Sequence, residues 1–331
     1  MPALEKEDVP DVTSPTMYIA IKQRWKRSLK GAGAALILSL SGCAELANIK
    51  RGAEDANKPA FAAETSRQLR QRYDHLATGL IAQGLLRTDA GSNSPRATPK
   101  ALTELFNSLA FYDEYEPSSG FQPAQATPTA LSKWQRPVKI NLHFGPSLSP
   151  ETRVKDTQFL SDYATQLSDI TRHPIELTTE LGNFHVVVVD EVHRMNMVQN
   201  LRKKDVLVPP NIQQVIQRMP ADIHCMVLTF SARHSPHIHE QALAVIRAEH
   251  PPMLKKACFH EEIAQGLGLH NDNPAAHPSI FNDDDEFAFL TNQDALLLRV
   301  LYDPRLPAGI ELQEAQPLLK QLIIAHNAPS R

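Results

Sequence analysis

Six consecutive residues, Phe184-His185-Val186-Val187-Val188-Val189, constrain the fold of this chain more than any others. The four valines are stiff at χ1 and favour extended backbone. Only His185 is polar, so neither face of such a strand can be left to water. A strand of this kind lies inside a sheet covered on both sides. Its companions are legible. Val138 to Phe144 alternates as a half-buried strand does, and Ile175 to Thr179 reads as a second short strand. Cys225 to Phe230 and Leu243 to Ala248 add two more, the last following a histidine-rich loop. Helical signals lie between and after them. Ser149-Pro150-Glu151 opens a helix through Leu160, Tyr163, Leu167 and Ile170, which Pro174 stops. Residues 196–220 read as helical around Val208-Pro209-Pro210, and Pro251-Pro252 opens a helix running to about Leu269. Asp294 to Tyr302 and Pro317 to His326 close the chain as helices. The class is therefore α+β, with a mixed twisted sheet, one site helix and a helical C-terminal part.

The N-terminal third carries an address. Lys22, Arg24, Lys26, Arg27 and Lys30 precede an apolar run that starts at Gly31 and ends at Leu40-Ser41-Gly42-Cys43. This is the layout of a secretory signal. The run is shorter than the roughly 20 apolar residues that span a bilayer. Its ending resembles the lipobox of bacterial lipoproteins. That resemblance implies that Cys43 is lipidated and becomes the first residue of the mature protein. Residues 1–16 are polar and acidic, so Met17 reads as the start. Ala44 after the cysteine implies the periplasmic face of the outer membrane, with the lipid as the membrane contact. The expected divisions are a signal at 17–43, a tether at 44–59, a helical region at 60–130, a main domain at 131–310 and a helix and tail at 311–331. In the helical region Leu69, Tyr73, Leu76 and Leu80 share a face, with Leu85 offset. A second helix spans Pro99 to Tyr112, with Leu102, Leu105, Phe106 and Leu109 on one face and Thr98 as its N-cap. The prolines and glycine of 116–130 suggest a loop.

The net charge is -3, without a long basic run outside the signal, which argues against nucleic acid as a partner. Besides Cys43, only Cys225 and Cys258 remain. In an oxidising compartment these are most simply one disulfide, two separate buried thiols being the other reading. His224, His234, His237 and His239 lie close in sequence and could hold a transition metal, although such a run is more often a solvated loop. Asp283-Asp284-Asp285-Glu286 lacks the glycine of a calcium loop and reads as a solvated charge run.

The chemistry-bearing helix reads His260-Glu261-Glu262-Ile263-Ala264-Gln265-Gly266-Leu267-Gly268-Leu269-His270-Asn271-Asp272. The long zinc-protease signature is His-Glu-x-x-His-x-x-Gly-x-x-His-Asp. It places two ligands four apart on one helix face, a glutamate base beside them, and a glycine turn that brings in a third ligand. Here Glu262 holds the base position and Gly268 the turn, while the ligand positions hold Glu261, Gln265 and Asn271, with Asp272 after them. His260 and His270 stand one residue off, a rotation of about 100° on a helix. This degenerate pattern resembles domain-of-unknown-function family 2927, secreted or lipid-anchored relatives of the zincin metallopeptidases. Phe106 to Tyr115, Trp134 to Gly145, Pro278 to Asp283 and Leu296 to Leu306 carry the likeness further, so that it spans Arg87 to Ile310. The resemblance implies a zincin-like sheet and helix and no established activity.

Glutamine and asparagine offer only amide oxygens, whereas zinc prefers imidazole and thiolate. No cofactor is therefore expected. A divalent metal held by the oxygens of Glu261, Gln265 and Asn271 is the alternative. The expected function is non-catalytic: binding or scaffolding of a peptide or cell-envelope ligand, with His260, His270 and Asp272 near the cleft. The other readings are a metal-dependent hydrolase that uses Glu262 as base, and a purely structural envelope protein.

Overall fold

The structure is a computed structural model that describes residues 16–23, 59–115, 123–204, 206, 208–282 and 284–327. Cys43, with most of the expected signal and nearly all of the tether, lies outside the described residues.

A seven-stranded mixed sheet organises the described residues. Its strands are β1 (Thr16–Gln23), β4 (Lys133–Trp134), β5 (Val138–Phe144), β6 (Ile175–Thr178), β7 (Phe184–Val189), β8 (Ile223–Ser231) and β9 (Ile238–Arg247). They run in the order β1-β8-β9-β7-β5-β6, with β4 added beside β9. β5, β6, β7 and β9 are mutually parallel, whereas β8 is antiparallel to β9 and β1 is antiparallel to β8. β7 is interior and buried at every position, as its sequence requires. A separate ribbon pairs β2 (Tyr112–Tyr115) with β3 (Pro123–Pro128), so part of the expected loop at 116–130 is a strand. Proline is tolerated there because a two-stranded ribbon leaves half its amides facing outward.

Eight helices are described: α1 (Pro59–Ala82), α2 (Pro99–Ala110), α3 (Pro150–Thr171), α4 (Glu191–Arg202), α5 (Pro210–Gln217), α6 (Pro252–Gly266), α7 (Asn292–Leu301) and α8 (Leu312–Asn327). The expected helix at 196–220 is two, because Pro209 and Pro210 cannot continue α4 and instead open α5. Thr98 caps α2 through its hydroxyl and Ser149 caps α3 in the same way, each followed by a proline at the first helical position. β7 divides its side chains between two cores. Phe184, Val186 and Val188 join α2, α3, α6, α7 and α8 in the larger one. Val187 and Val189 face α4 and α5. A third cluster seats α1, through Leu69, Tyr73, Leu76 and Leu80, against Leu254 and Ala257 of α6. Cys225 of β8 and Cys258 of α6 form a disulfide that ties the sheet to the site helix. No helix among the described residues is long and apolar enough to cross a membrane.

Met17, read above as a start, stands inside β1 and pairs with Phe230. The first residues of the expected signal therefore form the outer strand of the sheet in the full chain.

Candidate functional site

The residues of the degenerate motif sit on α6 and the turn that follows it. Pro251 and Pro252 start the helix, and Gly266 and Gly268 end it for steric reasons. A Cβ on Gly266 would stand 2.6 Å from the Phe184 ring. Gly268 has φ +131°, and a Cβ there would stand 2.4 Å from the carbonyl oxygen of Ser132. Trp134 Nε1 donates to the Gly266 carbonyl at 2.8 Å, and the Tyr302 hydroxyl donates to the Leu267 carbonyl at 2.8 Å. The glycine turn is thus real, and flanking aromatics hold its carbonyls.

The amides at two of the ligand positions are engaged with different partners. Gln265 Nε2 donates to Asp272 Oδ1 at 2.9 Å. Asn271 is turned toward the C-terminal end of α2: its Nδ2 donates to Ser108 O at 2.9 Å and its backbone amide to Leu109 O at 3.2 Å. Asn273 joins this contact through Ser108 Oγ. Glu261 and Glu262 are completely buried. Glu261 lies on the side of Tyr163, whose hydroxyl it and Asp294 push upward in pKa after the larger effect of burial. Among the described residues no three His, Cys, Asp or Glu side chains form a metal-holding group. A zinc ion fits this donor set poorly, because Gln265 and Asn271 present amide oxygens where zinc prefers imidazole and thiolate.

The two displaced histidines have different surroundings. His260 is a packing residue. Its ring stacks on Tyr163 at 3.8 Å and on Phe289 at 4.6 Å, and its Nδ1 accepts the Leu290 amide at 3.0 Å. Tyr163 also donates its hydroxyl to the His260 carbonyl at 2.7 Å. Burial, aided by Lys256, lowers the His260 pKa to about 3. Its ring is therefore packed in the core. His270 meets His239 edge-on at 5.0 Å, and burial lowers its pKa to about 3.

The histidine-rich run also resolves differently from its expectation. His239 belongs to β9 and is buried against Trp134, while His237 shares a hydrogen bond with Ser132 at 3.1 Å. His234 is exposed, and His224 meets Tyr73 and His250 instead. The acidic run is not wholly solvated either. Asp285 is buried, and Glu286 pairs with Arg87 at 2.8 Å.

Two groups escaped the sequence reading. Glu191, at the first turn of α4, receives Arg194 and the fully buried Arg247, and Arg247 also donates to the carbonyls of Met219, Pro220 and Ile223. This network fastens the α5–β8 connection to β9. Glu249 accepts from Ser66 of α1 at 2.7 Å and from the Glu191 amide at 2.7 Å. Nothing in the local pattern announces either, since the partners are far apart in sequence.

Residues 99–321 match the family described as Protein of unknown function (DUF2927). The chain belongs to this family. The match begins at α2 and ends within α8, so it contains the whole site helix and every sheet strand except β1. No curated protein and no solved structure matches the chain.

Proposed function

We propose that this family member is a lipid-anchored protein of the periplasmic face of the outer membrane, fixed through Cys43, with a non-catalytic zincin-like domain that holds an extended peptide. The supporting observation is the edge of β8. Along its whole length β8 accepts an antiparallel strand, from Thr16 against Ser231 to Gln23 against Ile223. That strand falls in the stretch read as the leader. If processing at Cys43 removes it, the nine-residue β8 is left with a bare edge, where alternate residues present unpaired amides and carbonyls. A bare strand edge is a template for strand addition, in which main-chain hydrogen bonds give affinity and alternate side chains give specificity. The chemistry of the site helix favours holding over cutting. Asn271 and Gln265 spend their amide donors within the protein, and the amide oxygens they leave are ligands that zinc takes less readily than imidazole or thiolate.

The test compares the full chain with the form that begins at residue 43, carrying Cys43→Ser to prevent lipidation. A fluorescent peptide of sequence Thr16–Gln23 is the probe. The shorter form is expected to bind it saturably and the full chain is not, and Val227→Pro is expected to weaken binding in the shorter form. A folded shorter form that binds neither this peptide nor a mixed extended-peptide library would end the proposal.

A further inference from the structure

A second candidate site lies away from α6, at the carboxyl ends of β5 and β6. A cleft of about 740 Å³ opens there, within the roughly 300–1,000 Å³ usual for small-molecule sites. Crevices beyond the carboxyl ends of parallel strands are where open α/β sheets place ligands. The helices on this side, α4 and α5, pack over β7, β8 and β9.

The cleft is built, not loose. Its floor includes His143, 4% exposed, whose Nε2 lies 3.2 Å from Nδ1 of His185. One lip is the segment after β6, fixed to β5 at several points. Asn141 Nδ2 donates to the carbonyls of Thr178 and Glu180, both at 3.0 Å. Asn183 accepts the Lys139 amide at 2.7 Å and returns its own amide to Lys139 O at 3.0 Å. The chain passes so close to β5 that a Cβ on Gly182 would lie 2.4 Å from Lys139 O. Glu180 is therefore carried on a rigid support. Lys204, just past α4, also lines the cleft, near enough to His143 to help keep that imidazole neutral after the larger effect of burial. Glu180 and Lys204 are exposed, and neither has an ion pair among the described residues. Leu142, Leu177 and Leu181 supply apolar wall.

We infer that this cleft binds a small zwitterion, a free amino acid or dipeptide with an apolar side chain. Lys204 receives the carboxylate, with the neutral His143 imidazole beside it. Glu180 receives the ammonium, and the leucines receive the side chain. A cleft lined by one cation and one anion fits a ligand carrying both charges better than a simple anion, which Glu180 would repel. A pre-tied lip also limits the ordering cost of binding. The inference is independent of the peptide proposal above, because the two sites lie on different strands.

Isothermal titration of the full chain tests it, with L-leucine, L-leucyl-L-leucine and 4-methylpentanoate, which is leucine without its ammonium. At least one zwitterion is expected to bind saturably with Kd at or below about 1 mM. Lys204→Ala and Glu180→Gln are each expected to weaken it about tenfold or more. Both side chains are exposed, so these changes leave the fold intact. In His-selective NMR the His143 ring resonances are expected to shift on saturation. Absence of saturable binding by either zwitterion, or binding unchanged by either substitution, would overturn the inference. So would 4-methylpentanoate binding as tightly as leucine, because Glu180 would then have no role.

Discussion

At the scale of single residues, the stretch that resembles the zinc-protease signature makes its glycine turn, while its amide side chains are engaged within the protein. Gly268 still makes the turn, and its conformation is one that a side chain could adopt only under strain. Asn271, where a third ligand would stand, instead satisfies two carbonyls at the end of α2. Carbonyls in the last turn of a helix have no intrahelical donor, so Asn271 does structural work that an imidazole of different reach would not reproduce. The consequence is testable. Gly268→Ala is expected to destabilise the protein by at least about 2 kcal/mol, from the positive φ together with the clash on Ser132 O. A urea midpoint within error of the parent would refute this. Asn271→Ala is expected to cost about 1 kcal/mol by removing the side-chain donor to the Ser108 carbonyl, while the backbone bond to Leu109 O stays, and an unchanged midpoint there would show that water takes over the contact.

Elements were more legible than their partnerships. Periodicity and caps placed α2, α3, β5 and β7 nearly to the residue, because their signals are local: Thr98 and Ser149 before prolines, and four valines together. The same reasoning put His239 in a loop, whereas it lies in β9. A polar residue in a buried strand is stabilised by partners such as Trp134 that are distant in sequence. It likewise missed Arg247, whose donors are absorbed by carbonyls of another loop and by Glu191. Gly268 was readable as a turn because only glycine suits it. Asn271's partner was not, because side-chain direction after a turn depends on where α2 packs. The Cys225–Cys258 link was readable from the cysteine count and the compartment the leader-like segment suggests, and it joins two elements 33 residues apart. In the chain-entropy model a loop of that size adds about 3–4 kcal/mol by restricting the unfolded chain. The Cys225→Ala, Cys258→Ala double variant should lose about that much. An unchanged unfolding midpoint would mean that α6 is held by packing alone.

For the whole molecule, the buried histidines govern the response to acid. Burial holds His143 and His185 at about 4 and His260 and His270 at about 3, against 6.5 for a free imidazole. Each folded pKa is depressed, so the unfolded chain binds more protons below 6.5. The stability these groups contribute is therefore complete above that pH and falls as the pH drops toward the folded values. Asp294 works in the opposite sense. Its desolvation outweighs the donors from Ser279, Ile280 and Thr291 and raises it from 3.8 to about 6, so its contribution improves on acidification through that window. Magnitudes decide between them. Each group contributes at most about 1.4 kcal/mol per pH unit. His239, also held well below 6.5 by burial, joins the four histidines, whereas Glu249, Asp156 and Asp284, raised by burial, act with Asp294 chiefly at lower pH, nearer their own carboxyl range. His143 and His185 touch, so they do not count as two independent sites. Even with that pair counted once, the histidines prevail. Urea denaturation is expected to show a loss of at least about 2 kcal/mol between pH 7 and pH 5, with the decline already under way between pH 7 and pH 6. A flat profile over this range would mean that these rings accept protons without unfolding, and that the packing of His260 between Tyr163 and Phe289 is looser than its geometry indicates.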